Sequence, residues 1–228
     1  VSVDVDVRSF TDLRAFAADA PTGELLDGGI RLPMADGPVE IVAVRPQGAG
    51  RIAAMPVDLF VILLAGSLTL NDATLMPGQS IVLPTGCTVD WRAGDDALVV
   101  TMACTGAAGA DAPVAIDHAA PLAPSGTPLA ELLVGPPPAC RNHTDYRSAS
   151  GEFLCGTWDS TPYHRLPMRY RHHELMHLLA GSVTFVDDAG RSATFATGDV
   201  FVIEQDATCS WDSRVDVKKV YAIHRPAA

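Results

Sequence analysis

Apolar and polar positions along this chain fall into short runs, with no long helical stripe. Segments of about five residues rich in Val, Ile, Leu, Thr and Phe lie at 39–44, 59–64, 67–70, 80–83 and 97–102, punctuated by Gly, Pro, Asn and Asp. A second series follows at 152–158, 174–179, 182–186, 200–203 and 217–223. Such spacing predicts short strands closed into a sandwich or barrel. Helix is scarce: Ser9 or Thr11 can cap a short helix over 12–18, and Thr127-Pro128 can open another over 129–134.

The two series are copies of one another. Leu63-Leu64-Ala65-Gly66-Ser67-Leu68-Thr69-Leu70 returns as Leu178-Leu179-Ala180-Gly181-Ser182-Val183-Thr184-Phe185, so Gly66 and Gly181 are 115 residues apart. Further on, Gly78-Gln79-Ser80-Ile81-Val82-Leu83 parallels Gly198-Asp199-Val200-Phe201-Val202-Ile203, and Trp91 parallels Trp211, both at an offset of 120. The extra residues fall in the turn Asp187-Asp188-Ala189-Gly190-Arg191. A hairpin tip tolerates insertion and strand register does not, so an offset that changes there points to duplication. Between the copies, 106–139 is rich in Ala, Gly and Pro and reads as a linker. The expected organisation is an N-terminal unit over 1–105, this linker, and a C-terminal unit over 140–228.

Composition narrows the function classes. Hydrophobic residues make up 48 % of the 228 residues, enough to bury a sizeable core in one or two domains. The formal net charge of −11, without a basic stripe, argues against nucleic acid as a partner. No apolar run approaches the roughly 20 residues that a membrane helix needs, so no membrane span is expected. The first eight residues alternate Val with polar residues and lack the basic start and apolar stretch of a secretory signal, which makes the cytoplasm the default location. Five widely spaced cysteines (Cys87, Cys104, Cys140, Cys155 and Cys209) include no C-x-x-C pair and read as reduced, buried thiols.

At these residues the sequence resembles the cupins. Gly66, Gly78, Pro84 and Gly86 match cupin motif positions in the first copy; Glu174, Gly181 and Gly198 match them in the second. The stretch Gly156-Thr157-Trp158-Asp159-Ser160-Thr161-Pro162, followed by Glu174-Leu175-Met176-His177-Leu178-Leu179-Ala180-Gly181 and Trp211, is similar to the cupin subfamily of ureidoglycine aminohydrolase and the ethanolamine-utilisation cupins. The resemblance implies an all-β bicupin: two tandem double-stranded β-helix (jelly-roll) barrels with a few short helices, and a site inside a barrel. It also leaves a homodimer open.

Cupins commonly hold a divalent metal (Mn, Fe, Ni or Zn) with three His and one Glu. Here the His-x-His slots fall on Met168 and Tyr170, or on Pro167 and Arg169, and the last His slot is Cys209. Of the usual ligands only Glu174 is kept, and the set used by ureidoglycine aminohydrolase is not reproduced either. Residues two apart on a strand share a face, so His172 and Glu174 point the same way. They are the candidate catalytic pair, by metal binding together with Cys209 or by acid–base chemistry without metal. Tyr170, Arg169, Trp158 and Trp211 are candidate substrate contacts. His177, among leucines, reads as a core histidine. In the first copy Leu59 stands where Glu174 does, so that barrel offers no ligands and reads as packed and structural.

The expected function is binding or transformation of a small polar metabolite in the C-terminal barrel. A non-catalytic binding or sensing module and a degenerate structural bicupin are the alternatives.

Overall fold

The computed structural model describes residues 8–106 and 108–227. The valine alternation read at 1–7 lies outside the described residues.

Each copy folds as a seven-stranded sheet facing a four-stranded one, as a jelly roll does. In the first, the large sheet is centred on Asp58–Ala65 and Leu98–Cys104, with Ser80–Leu83 and Val39–Pro46 outside them. In the second, His173–Ala180 and Val217–His224 are central, flanked by Val200–Ile203 and Phe153–Ser160. The expected all-β architecture of two tandem cupin-like barrels is what the chain adopts.

Side-chain alternation explains why the central strands read as unbroken apolar runs. Along Asp58–Ala65, Leu59, Val61 and Leu63 fill the first barrel, whereas Phe60, Ile62 and Leu64 join a core shared with the second copy. In the second copy Leu175, Val200, Val202 and Val220 enter that shared core, while Met176, Leu178, Phe201 and Ile203 point into the barrel. The large sheets therefore pack face to face, and a strand buried on both faces has no polar side to show.

The duplication is visible in hydrogen-bond register. Leu59 stands opposite Leu83 and Ala103, and Glu174 stands opposite Ile203 and Ile223. Register slips at the same place in both, skipping Leu64 between Leu63↔Val99 and Ala65↔Leu98, and Leu179 between Leu178↔Lys219 and Ala180↔Lys218. Gly66 (φ 70°) and Gly181 (φ 81°) make the turn that follows. A side chain at Gly181 would press on the Asp216 carbonyl, and one at Gly66 on the Ala97 backbone. Gly181→Ala is therefore expected to cost upwards of about 2 kcal/mol in urea unfolding, combining the left-handed backbone with a clash; a loss under about 0.5 kcal/mol would contradict this.

Two local expectations are corrected. The helix spans Leu13–Ala17 and its cap is Asp12, whose carboxylate accepts from the Arg14 and Ala15 N–H groups. The second helix is one 3₁₀ turn, Ala130–Leu132. Within 106–139, Val114–Ala115 pairs with the first barrel's Ser80–Leu83, and Ala123–Pro124 with the second barrel's Cys140–Arg147. The N-terminal arm also crosses over, Thr11–Asp12 pairing with Val200–Ile203, so an edge of the second sheet is covered by chain from the first half. No helix of the described residues is long and apolar enough to cross a membrane.

Candidate functional site

Glu174 alternates with Leu175 along its strand, so while Leu175 joins the shared core the carboxylate points into the second barrel. On the neighbouring strand Lys219 points the same way, and its ammonium donates to Glu174 Oε1 at 2.7 Å. Both side chains are buried. The ammonium also lies 3.1 Å from Met176 Sδ and sits 4.9 and 5.2 Å from the ring centres of Trp158 and Trp211, so aromatic faces supply part of the solvation it has lost. His172 Nε2 lies 3.3 Å from the other oxygen, Glu174 Oε2. Burial alone would raise the Glu174 pKa. The Lys219 charge, with help from His172, outweighs it and holds the carboxyl well below its ordinary range.

This chain of groups forms one end of a cavity of ≈ 460 Å³ inside the second barrel, well within the size range of small-molecule sites. Tyr170, Arg165, Trp158, Trp211 and Tyr221 form its walls, and residues 126–128 of the linker reach its rim. Trp211 is held by edge-to-face contact with Trp158, stacking on Tyr163, and a hydrogen bond from Nε1 to Ser213 Oγ at 3.1 Å. Arg165, 4 % exposed, donates to the Tyr170 hydroxyl at 3.2 Å.

The structure thus brings together Glu174, His172, Tyr170, Trp158 and Trp211. Arg169 is not with them. It alternates outward between Met168 and Tyr170, pairs with Asp206 at 2.8 Å and is exposed. The inward arginine is Arg165, placed there beyond an irregularity in pairing between Arg165 and Met168.

Cys209 also departs from expectation. It lies fully buried in the aromatic core of the barrel and does not line the cavity, and burial pushes its thiol up to about 12. With Cys209 away from the cavity and both Glu174 oxygens engaged, Glu174, His172 and Cys209 do not fit a divalent metal. Among the described residues no three His, Cys, Asp or Glu side chains converge on such a site. His177 is buried, but on the opposite face from Glu174, beside Gly78 and His118 of the preceding half, and its Nδ1 has no hydrogen-bond partner among the described residues. It is an interface histidine and not a satisfied core one.

Sequence reading missed Lys219 and Arg165. For Lys219 a signal existed: at the offset of 120 its counterpart is Val99, so Leu59 and Val99 of one copy become Glu174 and Lys219 of the other, a matched gain of opposite charges. Met55, Val61, Leu63, Leu68 and Leu70 pack inside the first barrel, which keeps a smaller cavity of ≈ 310 Å³ at the matching place, beside Val44, Leu59 and Thr101 and with Asp27, Arg31 and Glu40 also on its lining.

Two jelly-roll barrels in tandem, the second with the buried Lys219–Glu174 pair on the lining of its cavity, define a bicupin. Residues 147–221 match the EutQ-like cupin domain. The crystal structure of a protein of unknown function of the DUF861 family from Pseudomonas syringae pv. tomato is 30 % identical, with a TM-score of 0.82 over 94 % of this chain and 92 % of that one. The chain belongs to this DUF861 family of EutQ-like cupins. Two more distant structures share the fold. A cupin 2 conserved barrel domain protein from Leptotrichia buccalis is 10 % identical at TM-score 0.61, covering 99 % and 100 % of the two chains. The DUF861 protein Ylba from E. coli is 11 % identical at TM-score 0.55, covering 100 % and 97 %. No curated protein matches the chain.

Proposed function

We propose that the C-terminal barrel, within residues 140–228, binds a small polar metabolite and moves a proton on it, with His172 exchanging the proton and Glu174 and Lys219 holding it in place. The N-terminal barrel, within 1–105, is the supporting body. The observation that carries this reading is the buried Lys219–Glu174–His172 chain facing a cavity, against Val99 and Leu59 at the matching places of the first barrel.

The roles follow from the hydrogen bonds. A carboxylate beside an ammonium is a weak base, so Glu174 is suited to orient its neighbours and not to take a proton itself. Bonding to an acceptor-only carboxylate puts the hydrogen of a neutral His172 on Nε2, which leaves the Nδ1 lone pair as proton acceptor. Tyr170, Trp158 and Trp211 supply aromatic walls for the metabolite. The metal-free assignment rests on the donor set: Cys209 does not line the cavity and the Glu174 carboxylate is already paired.

Deuterium incorporation from heavy water into candidate metabolites, followed by proton NMR, tests the reading. His172→Gln should lower exchange or turnover by about a hundredfold or more, and Glu174→Gln by a smaller but clear factor. A His172→Gln protein working at the wild-type rate would sink the proposal. A non-catalytic binding module is the second reading, favoured by the strong clamping of Glu174; saturable binding with no exchange on any ligand would decide for it. A purely structural role is disfavoured by the open cavity.

A further inference from the structure

We propose that the metabolite is an anion of the carboxylate class, bound by Arg165 through its guanidinium fork; this rests on the same cavity serving as the binding site. Arg165 is 4 % exposed, yet it takes no part in any ion pair among the described residues. Of the five N–H groups a guanidinium carries, one is given to the Tyr170 hydroxyl at 3.2 Å and one to the Leu166 carbonyl at 3.4 Å. The remaining donors belong to a charge that lines the cavity and has no counter-ion among the described residues. A buried charge is strongly disfavoured unless paired, so an anionic ligand is the missing partner.

The charge balance of the cavity points the same way. Arg147 and Arg225 stand on its exposed rim, Lys219 and Arg165 lie within, and Glu174 is the one carboxylate on its lining among the described residues. Glu174 is already neutralised by Lys219. In a chain of net charge −11, a cation-rich cavity is a local reversal that concentrates small anions against the overall field. One buried guanidinium offers two parallel N–H bonds to a planar carboxylate. A phosphate dianion would call for more buried donors than one guanidinium supplies.

The test is isothermal titration calorimetry of the full chain with glycolate, lactate and malonate, each beside its neutral amide, and with inorganic phosphate and sulfate. At least one carboxylate should saturate about tenfold or more tighter than its amide, the difference expected of a charge-assisted hydrogen bond. Phosphate and sulfate should bind more weakly than that carboxylate. Arg165→Gln should remove the preference and Arg165→Lys should keep part of it. An amide binding as well as its acid, phosphate binding tightest, absence of saturable binding by every carboxylate, or an Arg165→Gln variant that retains the preference would each overturn the assignment. The acid-against-amide comparison is read on the wild-type protein, so it stands even where Arg165→Gln fails to fold. Failure of the proton-exchange reading would look different: carboxylate preference intact, no deuterium incorporated.

Discussion

Lys219→Val is expected to destabilise the protein by about 3–5 kcal/mol in urea unfolding at neutral pH, because it leaves Glu174 charged inside the barrel with its main partner gone. Adding Glu174→Leu should return most of that loss. The pair would then copy Leu59 and Val99, which occupy the same places in the first barrel and pack there as an ordinary apolar core. A buried ion pair is costly to break and cheap to replace as a unit, since desolvation of two charges roughly cancels their attraction. The double variant should lose proton exchange despite its stability, because His172 no longer has the carboxylate that orients it. Trp158 and Trp211 flank the ammonium, so the emission of the folded single variant should shift and report directly on its loss. A single variant as stable as wild type, or a double variant no better than the single, would contradict the assignment of this pair as a closed ionic unit.

Acid should weaken the protein well above the range where carboxylates titrate, and His177 should account for much of it. Burial, followed by the nearby charges of His118 and Arg14, lowers His177 from 6.5 to about 4; burial, His224 and His172 lower His173 similarly. A group whose folded pKa lies below its unfolded one binds the proton more readily when unfolded. Stability is therefore intact above pH 6.5 and lost progressively as pH falls towards 4. The full separation corresponds to about 3 kcal/mol per histidine. Glu204, pushed up to about 7 by burial, acts in the opposite direction, so the net wild-type slope is smaller than the histidines alone would give. Comparison with His177→Leu isolates the term. The matching residue of the first copy is apolar Ile62, and among the described residues His177 Nδ1 forms no hydrogen bond that leucine would forfeit. The loss of unfolding free energy between pH 7 and 4.5 should shrink by about 2–3 kcal/mol in this variant. An unchanged loss would mean that the imidazole is accessible and not held between the barrels.

The strands that were legible in the sequence are those buried on both faces. At 59–64, 80–83 and 200–203 the run of apolar residues is continuous because one face fills a barrel and the other packs on the opposite sheet. The strands that escaped are half-exposed members of the small sheets and the edges, such as Ala49–Ile52, Tyr163–Arg169 and Ser192–Ala196, where polar residues and glycine dilute the alternation. The site was legible where local geometry sufficed: His172 and Glu174 share a face two residues apart, and the hydrogen bond between them follows. Lys219 was not, because its partnership with Glu174 spans 45 residues of sequence and exists only through strand pairing. Arg169 misled for a local reason. Pairing is irregular between Arg165 and Met168, and Arg169 stays on the outer face opposite to Tyr170 while Arg165 turns in. Cys209 was misplaced because a motif slot records position along a strand and says nothing of whether the side chain reaches the cavity.

The account depends most on an ionic cluster facing an open space in the second barrel only. A crystal structure of the full chain at neutral pH tests this directly. It should place Lys219 Nζ in hydrogen-bond contact with Glu174, His172 on the other carboxylate oxygen, and an open volume beside them, with Leu59 and Val99 in apolar surroundings in the first barrel. Glu174 turned to bulk solvent, Lys219 extended to the surface, or a second barrel with no open volume beside the pair would contradict it.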